Sequence, residues 1–516
     1  MRDPITLGDW LAVAAGRARA DAGATVDGEQ STWRELDAAA DRAAAGFLAL
    51  GLRPGDPVCV LMHSSVAALT VWFGLARAGL IEVPLNPASG ETLLRYVLEH
   101  AGASVVVFDA EMVCAVCLAA PPAVRTLVVN GEGDPAGPGI AGCDLAELLG
   151  TTPTRLPTVD PSTPTVVLYT SGTTGPPKGA LLSHRANVNL ARHTVELLGY
   201  TRSDKLYSVF PLFHSNARCC SVMAAAEAGA DLVMDRGFSA GRFWDTCRTN
   251  GITAFNYQGA MMSILHKQPA RPDDADNPVR LAFGAPCPPE ILEAVEKRFG
   301  LALTEIYGST EVSIVTDMPP RDRRIGSAGT ASVNYTVAVV DEHDDEVPPA
   351  TAGEIVARPN AAGWMFDGYL GNPEATAASW RNLWFHTGDR GYLDEDGFLY
   401  FLDRISDSIR RRGENVSSWE VERVVAEHPS VGQVAAYGVA SELSEQEVAV
   451  AVVPNQGQTV DPAAVVEHCR GALTAFALPR YVRVLDALPL TPSQRVKKFQ
   501  LRADGVAPGT WDREDH

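Results

Sequence analysis

Apolar and polar positions in the first part of the chain follow two periods, one typical of helices and one typical of buried strands. Residues 31–48 carry apolar side chains three and four positions apart after a Ser-Thr start, which predicts an amphipathic helix. The apolar run Val58–Met62 predicts a buried strand, and Val66–Ala78 predicts the next helix. Short apolar runs return at 104–108 and 127–130. This alternation indicates α/β layers built on mainly parallel sheet.

The pattern changes twice farther along the chain. Residues 325–358 have the period of strands with a turn signal at 341–345, which is typical of a β-meander. After Arg404 a basic segment is followed by the helix and strand patterns of a compact α+β unit. We therefore predict an α/β fold with a large N-terminal domain, residues 1–404, made of layered α/β subdomains and a β-meander. A small α+β C-terminal domain would follow, residues 405–516.

Length and charge narrow the class of protein. A chain of 516 residues is too long for one ordinary hydrophobic core, which supports the division into domains. The formal net charge of −20 disfavours general binding to nucleic acids or anionic membranes. No apolar run approaches the roughly 20 residues of a membrane-spanning helix. The N-terminus also lacks the apolar core of a signal peptide, so we predict a cytoplasmic protein.

The nine cysteines are scattered along the chain. Only Cys114 and Cys117 have the spacing of metal ligands, and no second pair accompanies them, so we predict that both thiols pack in the core. Cys219 and Cys220 are predicted to be buried thiols as well.

Residues 169–179 form the most informative segment of the chain, Tyr-Thr-Ser-Gly-Thr-Thr-Gly-Pro-Pro-Lys-Gly. The glycines let backbone N–H groups turn toward an anion, the hydroxyls donate hydrogen bonds, and Lys178 adds positive charge. These properties predict a loop that holds a polyphosphate. A Walker A loop is excluded, because Gly179 and an apolar run follow Lys178 instead of Ser or Thr and a helix.

This segment resembles the phosphate-binding motif of the adenylate-forming superfamily, which includes acyl-CoA synthetases, luciferases and peptide-synthetase adenylation domains. The resemblance runs along essentially the whole chain and is closest to the crotonobetaine/carnitine-CoA ligase branch. It implies that ATP converts a small-molecule carboxylic acid to an acyl-adenylate, which is then passed to coenzyme A. It also implies that the C-terminal domain is mobile.

Three further motifs complete the nucleotide site that the resemblance implies. Tyr307-Gly-Ser-Thr-Glu311 would stack on adenine through Tyr307, bond the α-phosphate through Thr310 and hold Mg²⁺ through Glu311, with Thr174 as a further metal contact. Asp389 would bind the ribose hydroxyls, and Arg404 would contact ribose or phosphate. The residues implied in ATP or AMP binding are Thr170, Ser171, Gly172, Thr173, Thr174, Lys178, Gly284, Ala285, Pro286, Tyr307, Gly308, Ser309, Thr310, Asp389 and Arg404. The catalytic residues implied among the motifs named so far are Thr170, Lys178, Thr310, Glu311 and Arg404.

The acyl pocket is implied by Pro211-Leu-Phe-His-Ser-Asn216, whose aromatic residue gates the pocket in the family. Amino-acid-activating relatives have an aspartate in this motif that pairs with the α-ammonium group. Its absence here predicts an acid without an α-amino group. The residues predicted to line the pocket are Phe213, His214, Asn216, Tyr257, Gly259, Ala260, Ser309 and Ile314, and the small pair Gly259–Ala260 suggests room for a bulky acid.

The hinge and the CoA contact are implied by the segment after Arg404. Ser406 occupies the hinge position, where the family usually has Asp or Lys. The strip Arg410, Arg411, Arg412, Gly413 and Glu414 is predicted to meet CoA, since its positive charge suits the phosphates of that co-substrate.

The chain departs from the family near its end. Where the family has a Gly-Lys pair whose lysine acts in adenylation, this chain has Gln494 and Arg495. Arginine is a wider, planar donor than lysine. Lys497 and Lys498 are the only lysines of the C-terminal domain, so Arg495, Lys497 and Lys498 all remain candidates for the catalytic cation.

We therefore predict an AMP-forming acyl-CoA ligase that uses ATP, Mg²⁺ and CoA, acts as a monomer or homodimer, and binds no nucleic acid. Two alternatives stay open. One is an adenylating ligase that passes the acyl group to a carrier-protein thiol or an amine. The other is a homologue specialised for one half-reaction, or a nucleotide-binding protein without turnover.

Overall fold

The computed structural model describes residues 5–133, 140–170, 177–258, 261–319, 323–405, 409–411, 414–416, 418–441, 446–470, 472–491 and 496–515, with the backbone only at 410, 414 and 415. Two large sheets, a smaller antiparallel sheet and a C-terminal sheet organise these residues.

The first sheet has eight strands, and its centre is parallel. In spatial order the strands are Gly368–Tyr369, Lys178–Ser183, Pro164–Thr170, Ile81–Pro84, Pro57–Leu61, Val105–Asp109, Thr126–Asn130 and Ala141–Asp144. The two strands at the start of this order are antiparallel to their neighbours. The central strands have continuous Val-rich sequences because both of their faces are buried, under helices or against the other sheet.

The second sheet has seven strands and is parallel except for one edge hairpin. In spatial order the strands are Ala302–Glu305, Leu281–Ala285, Ala254–Gln258, Lys205–Ser208, Asp231–Met234, Gly23–Val26 and Glu29–Thr32. The largest cluster of buried apolar side chains draws on both sheets and on the helices between them, and Trp10, Trp33 and Trp72 are among its largest fully buried side chains. This shared core joins the two sheets into one body.

Helices follow most of the parallel strands, and several begin at a side-chain cap. Thr32 and Glu35 form a capping box at the start of Trp33–Ala49, which satisfies backbone N–H groups that the helix leaves unpaired. The α-helices are Leu7–Arg17, Trp33–Ala49, Val66–Arg77, Glu91–Ala101, Val113–Ala119, Leu145–Leu149, His184–Leu198, Ala224–Ala228, Ala240–Asn250, Met261–Lys267, Pro289–Phe299, Pro373–Ala378, Ser418–Ala426, Pro462–Cys469 and Lys498–Asp504. A 3₁₀ turn at Ala110–Met112 and a π-helix at Asn216–Met223 complete the set.

The predicted meander is an antiparallel sheet packed against the far edge of the first sheet. Its strands are Tyr335–Val340, Gly353–Pro359, Trp384–Leu393, Trp380–Arg381 and Leu399–Arg404. Three two-stranded ladders also form, between Gly308–Ser309 and Ser313–Ile314, between Thr316–Asp317 and Thr330–Ala331, and between Ile409–Arg411 and Glu414–Val416.

The C-terminal residues build a separate sheet with its own core. Its strands, in order, are Val431–Ala440, Gln446–Pro454, Tyr481–Val484 and Trp511–Asp512. Two clusters of buried side chains lie on its faces. This unit contacts the preceding part of the chain where the Lys267 ammonium donates to the Gly432 carbonyl at 2.6 Å.

The predicted fold class is confirmed, including the meander and the small α+β unit, and the division at residue 404 stays a prediction. Each predicted strand named above is present within a residue or two of its expected bounds. The prediction for Cys114 and Cys117 was wrong, because both thiols are exposed. Helix Val113–Ala119 buries Val116 and Ala119, which turns these cysteines to the opposite face. Cys219 and Cys220 are buried as predicted. None of the described helices is long and apolar enough to cross a membrane.

Candidate functional site

The predicted phosphate loop connects two paired strands of the first sheet. Thr170 ends one strand, Lys178 begins the next, and the two residues are antiparallel partners across the ladder. The Thr170 hydroxyl donates to the Lys178 carbonyl at 3.4 Å. The loop between them therefore leaves the sheet at the carboxyl edge of its parallel strands, where ligands of α/β sheets usually bind.

Lys178 and Glu311 meet through a tyrosine that the sequence motifs do not include. The Lys178 ammonium lies 4.8 Å from the centre of the Tyr369 ring, within the range of a cation–π contact. The Tyr369 hydroxyl donates to Glu311 at 3.0 Å. Burial raises the pKa of this phenol, and Glu311 raises it further, so the hydroxyl stays protonated as a donor. The predicted phosphate-binding lysine and the predicted magnesium ligand therefore lie on either side of one side chain.

The Tyr307–Glu311 motif forms a tight hairpin. A side chain at Gly308 would lie 1.9 Å from the Ser313 carbonyl oxygen, so only glycine allows the two strands to approach. Ser313 itself has a φ of 57°, a left-handed conformation that costs about 1–3 kcal/mol for a residue other than glycine. The Ser309 hydroxyl donates to Glu311 at 2.9 Å, which fixes that carboxylate from a second side.

The predicted ribose residue adjoins the same hairpin. Asp389 is buried and accepts a hydrogen bond from the Tyr307 hydroxyl at 2.7 Å. Arg404 is the ladder partner of Asp389, and its Nε lies 3.6 Å from that carboxylate. The Tyr307 ring lies against Phe401, 6.2 Å between centroids. The structure therefore brings Tyr307, Asp389 and Arg404 together, while adenine stacking by Tyr307 stays a prediction.

The predicted adenine-facing segment, Gly284 to Pro286, ends a strand of the second sheet. Gly284 is required here, because a side chain would lie 1.9 Å from the Tyr257 carbonyl oxygen. Behind the segment lies Glu305, which accepts hydrogen bonds from the Cys287 backbone N–H and the Tyr257 hydroxyl. Burial raises the pKa of Glu305 to about 7, and the two hydrogen bonds oppose this shift.

This contact also places Tyr257. The side chain is fully buried with its hydroxyl 3.3 Å from Glu305, and its role at an acyl wall stays a prediction. Side chains alternate along a strand, and the strand Ala254–Gln258 places this one toward Glu305 in the protein interior. Ile314 is likewise buried in the large shared core.

The predicted gate residues lie where the second sheet meets the π-helix. The rings of Phe213 and His214 are neighbours, 4.7 Å between centroids. Asn216 begins the π-helix and accepts a hydrogen bond from the buried Asn256 amide at 3.1 Å. Helices of this type occur often at functional sites.

A cavity opens between this segment and the Tyr307–Glu311 hairpin. Ser215 and Cys219 form one wall, Ser309, Thr310 and Ser313 form another, and helix His184–Leu198 closes the third side. The predicted α-phosphate contact, Thr310, thus borders this small cavity.

A buried ion pair lies next to the predicted gate residues Phe213 and His214. Arg218, in the π-helix, pairs through two guanidinium nitrogens with Glu82 of the first sheet, and only 1% and 4% of these side chains are exposed. Its guanidinium stacks on Trp72 at 3.9 Å and also donates to the Leu212 carbonyl next to Phe213. The pair therefore fixes the π-helix to the first sheet.

Two predicted C-terminal residues have structural partners. Lys498 donates to the Ser418 hydroxyl at 2.5 Å and pairs with Glu422 at 2.8 Å, so its ammonium is already neutralised inside the C-terminal unit. Arg411 is buried and lies 2.6 Å from Glu447. The predicted roles of Lys498 in adenylation and of Arg411 in CoA binding do not fit these placements, because each charge is held by a carboxylate.

Several predicted residues lie outside the part of the chain that the structure describes. These are Ser171, Gly172, Thr173, Thr174, Gly259, Ala260, Ser406, Arg412, Gly413 and Arg495, with the side chains of Arg410 and Glu414. Lys497 is described, and its backbone N–H donates to the Pro489 carbonyl at 2.7 Å. Their functional roles stay predictions.

Sequence reasoning missed Tyr369 and Arg218. Tyr369 is far from the motifs in sequence and reaches them only because its strand pairs with Lys178–Ser183. A lone arginine in an apolar run, as at Arg218, was a signal that could have been used, since such a charge needs a buried partner.

Comparison with known proteins finds matches along nearly the whole chain. Residues 11–370 match the family model of AMP-binding enzymes, and residues 420–495 match the model of the AMP-binding enzyme C-terminal domain. The crotonobetaine/carnitine-CoA ligase of Citrobacter koseri is 30% identical over 484 residues, covering 92% of this chain and 93% of that protein.

Solved structures agree over the same length. ATP-bound MatB from Rhodopseudomonas palustris is 27% identical with a TM-score of 0.86, covering 97% of this chain and 99% of that chain. The apo form of MatB, with the same coverage and 26% identity, has a TM-score of 0.74. The arrangement described above is thus more similar to the nucleotide-bound form.

Proposed function

The chain belongs to the family of AMP-binding enzymes, and from this premise we propose that it is an AMP-forming acyl-CoA ligase. The reaction has two steps. An oxygen of the acid's carboxylate attacks the α-phosphorus of ATP and pyrophosphate leaves; the thiol of CoA then attacks the acyl carbonyl and AMP leaves. ATP and CoA are co-substrates, and the similarity to a CoA ligase over nearly the whole chain supports both.

For the first step, the contacts around Tyr369 and Asp389 support the proposed roles. Lys178 would neutralise the phosphates, Thr310 would donate to the α-phosphate, and Asp389 with Arg404 would hold the ribose end. Such a site accelerates the reaction by positioning and by stabilising the charge of the leaving group, without a proton transfer.

Glu311 fits a magnesium ligand. Magnesium prefers carboxylate oxygens, and the carboxylate of Glu311 is held by Ser309 and Tyr369 next to the predicted phosphate loop. Bound there, the ion would neutralise the charge that develops on pyrophosphate.

For the second step, the C-terminal domain would turn about Ser406 and bring Arg410, Arg412 and the backbone at Gly413 and Glu414 to CoA. Arg411 is left out of this group because Glu447 already holds it. The catalytic cation of adenylation is then Arg495 or Lys497. A cytoplasmic location, with its pools of ATP and CoA, stays part of the proposal.

The observation that carries the proposal is the bridge from Lys178 through Tyr369 to Glu311. Glu311→Ala should abolish carboxylate-dependent exchange between ATP and pyrophosphate. Tyr369→Phe removes only the hydroxyl that orients Glu311, so exchange should fall about 10-fold with a higher requirement for Mg²⁺. Tyr335→Phe is the matched control, since that hydroxyl donates to the Trp364 carbonyl, and its exchange should stay at the wild-type rate.

Full exchange by both Glu311→Ala and Tyr369→Phe would remove this bridge from the mechanism. Dependence of AMP release on CoA separates the proposal from the alternatives: release without CoA but with a carrier protein or an amine would indicate another acceptor. ATP binding with no acid-dependent pyrophosphate release would indicate a protein without turnover.

A further inference from the structure

Three neighbouring strands of the second sheet meet at one level, next to the predicted adenine-facing segment. Tyr257, Gly284 and Glu305 are register partners on these parallel strands, with Gly284 in the middle. Register partners point to the same face of a sheet, and Gly284 has no side chain, so its two neighbours can meet across it. The Tyr257 hydroxyl does reach Glu305, at 3.3 Å. A side chain at Gly284 would lie 2.9 Å from the Tyr257 ring and would interrupt this contact.

Glu305 also holds the turn that follows the middle strand. The chain is exposed at Pro286, is buried again at Cys287 and continues with two more prolines. Proline has no backbone N–H, so Cys287 supplies the only backbone donor in residues 286–289. This single donor bonds the Glu305 carboxylate. The conformation of the turn therefore depends on one carboxylate.

The strand end that carries Glu305 is tied to the predicted ribose site as well. The Ile306 backbone N–H donates to the Gly284 carbonyl at 3.2 Å. One residue farther along, the Tyr307 hydroxyl donates to Asp389. Glu305 thus lies where the predicted adenine and ribose contacts leave the second sheet.

We propose that Glu305 is a positioning residue, whose carboxylate holds residues 284–287 in the conformation that receives the adenine ring of ATP. This inference rests on the proposed function and adds to it a residue that acts through the Cys287 N–H. An ionised carboxylate forms hydrogen bonds about twice as strong as those of a neutral group. The affinity for ATP should therefore depend on the charge of Glu305.

This charge changes near neutral pH, because burial raises the pKa of Glu305 to about 7. Burial also raises the pKa of the Tyr257 phenol and of the Cys287 thiol, so both groups that face Glu305 stay neutral. The charged residues of the following helix, Pro289–Phe299, are paired or exposed: Glu290 pairs with Arg423, Glu296 with Arg323 and Arg298 with Asp274, while Glu293 and Lys297 are exposed. Because the ionised form of Glu305 holds the turn, ATP affinity should be complete above pH 7 and should fall as the pH drops below 7.

The test is the dissociation constant of MgATP, measured by calorimetry without acid or CoA between pH 6 and pH 8.5. Glu305→Gln keeps the shape of the side chain but has no charge at any pH. At pH 8.5 this variant should bind ATP about 10-fold more weakly than the wild type. The ratio of the two constants should fall to about 2 at pH 6, where most of Glu305 is protonated. Titration of ATP itself cancels in this ratio, whereas damage that is only structural would weaken binding by the same factor at every pH.

Two tyrosine variants test the pH dependence in a second way. Tyr257→Phe removes a hydrogen bond that lowers the pKa of Glu305, so the pH at which ATP affinity changes should move upward. Tyr207→Phe is the matched control, since this hydroxyl lies on the neighbouring strand and donates to Asp235 at 2.7 Å, and its profile should equal that of the wild type. If Glu305→Gln does not fold, these profiles decide: without an upward shift in Tyr257→Phe, the inference is wrong.

Inorganic tripolyphosphate, which lacks adenine, should bind equally to the wild type and to Glu305→Gln. Equal binding of ATP by these two proteins, or a ratio that stays constant with pH, would overturn the inference and leave the proposed function intact. An equal loss of ATP and tripolyphosphate binding in the variant would also overturn it, because the effect would then not concern adenine. Absence of ATP binding by the wild type at every pH would overturn the proposed function, and this inference with it.

Discussion

The pair formed by Glu82 and Arg218 gives the sharpest stability prediction. Both side chains are almost wholly buried, and the guanidinium is held by two carboxylate contacts, by the Trp72 ring and by the Leu212 carbonyl. Glu82→Gln keeps the shape of the side chain but leaves the positive charge of Arg218 buried without a counter-charge. Breaking a buried pair in this way costs about 3–5 kcal/mol.

That loss is a large fraction of a typical unfolding free energy of about 5–15 kcal/mol. At about 2 °C of Tm per kcal/mol for a domain of this size, we expect Tm to fall by roughly 6–10 °C. The measurement is thermal unfolding followed by circular dichroism at one fixed scan rate, because a multidomain protein can unfold irreversibly.

Two variants separate the buried charge from other causes. Glu82→Gln combined with Arg218→Met removes both charges and should recover much of the lost Tm, since replacing a whole buried pair by apolar groups is often tolerated. Asp273→Asn breaks the exposed pair with Arg271 and should leave Tm unchanged. A Tm loss below 2 °C in Glu82→Gln, or no recovery in the double variant, would refute the reasoning.

Two further predictions concern other buried charges. Lys498→Met should lower Tm, because it removes the partner of Glu422 and Ser418. Lys497→Met is the control and should leave Tm unchanged. Equal effects of the two variants on Tm would contradict the structural role of Lys498. The pKa of Glu305 is raised from 4.5 to about 7, so the folded state binds this proton more tightly than the unfolded state does. The contribution of Glu305 to the free energy of unfolding is therefore complete below pH 4.5 and falls as pH rises toward 7. The loss is about 3 kcal/mol of unfolding free energy. Glu305→Gln should flatten this part of a profile of unfolding free energy against pH. If the variant keeps the wild-type slope, another group causes the pH dependence.

The periodicity of the sequence predicted the layers, the meander and the C-terminal unit, since continuous Val-rich runs and alternating runs report directly how each strand is buried. The chemistry of the motifs predicted that residues 169–179, Tyr307 to Glu311 and Asp389 belong together. The contacts through Tyr369 place Lys178 near Glu311, and the Tyr307 hydroxyl reaches Asp389. Their catalytic roles stay predictions.

Side-chain direction could not be predicted, because it depends on partners distant in sequence. Tyr257 was expected at the acyl wall but turns to Glu305, and Arg411 was expected at CoA but turns to Glu447. In both cases a buried carboxylate decides the direction. Local sequence around the tyrosine or the arginine contains no sign of that carboxylate.

Asp403 has one consequence for the order of events in the reaction. Its carboxylate, at the end of the N-terminal part of the chain, accepts from the backbone N–H and the hydroxyl of Ser418 and from the Trp419 N–H, at the first turn of a helix in the C-terminal unit. One half of the molecule therefore supplies the missing end cap for a helix of the other half. If the C-terminal unit rotates between the two chemical steps, the hydrogen bonds from Ser418 and Trp419 to Asp403 must break first. The rate of breaking them would then limit how soon the thiol can reach the activated acid.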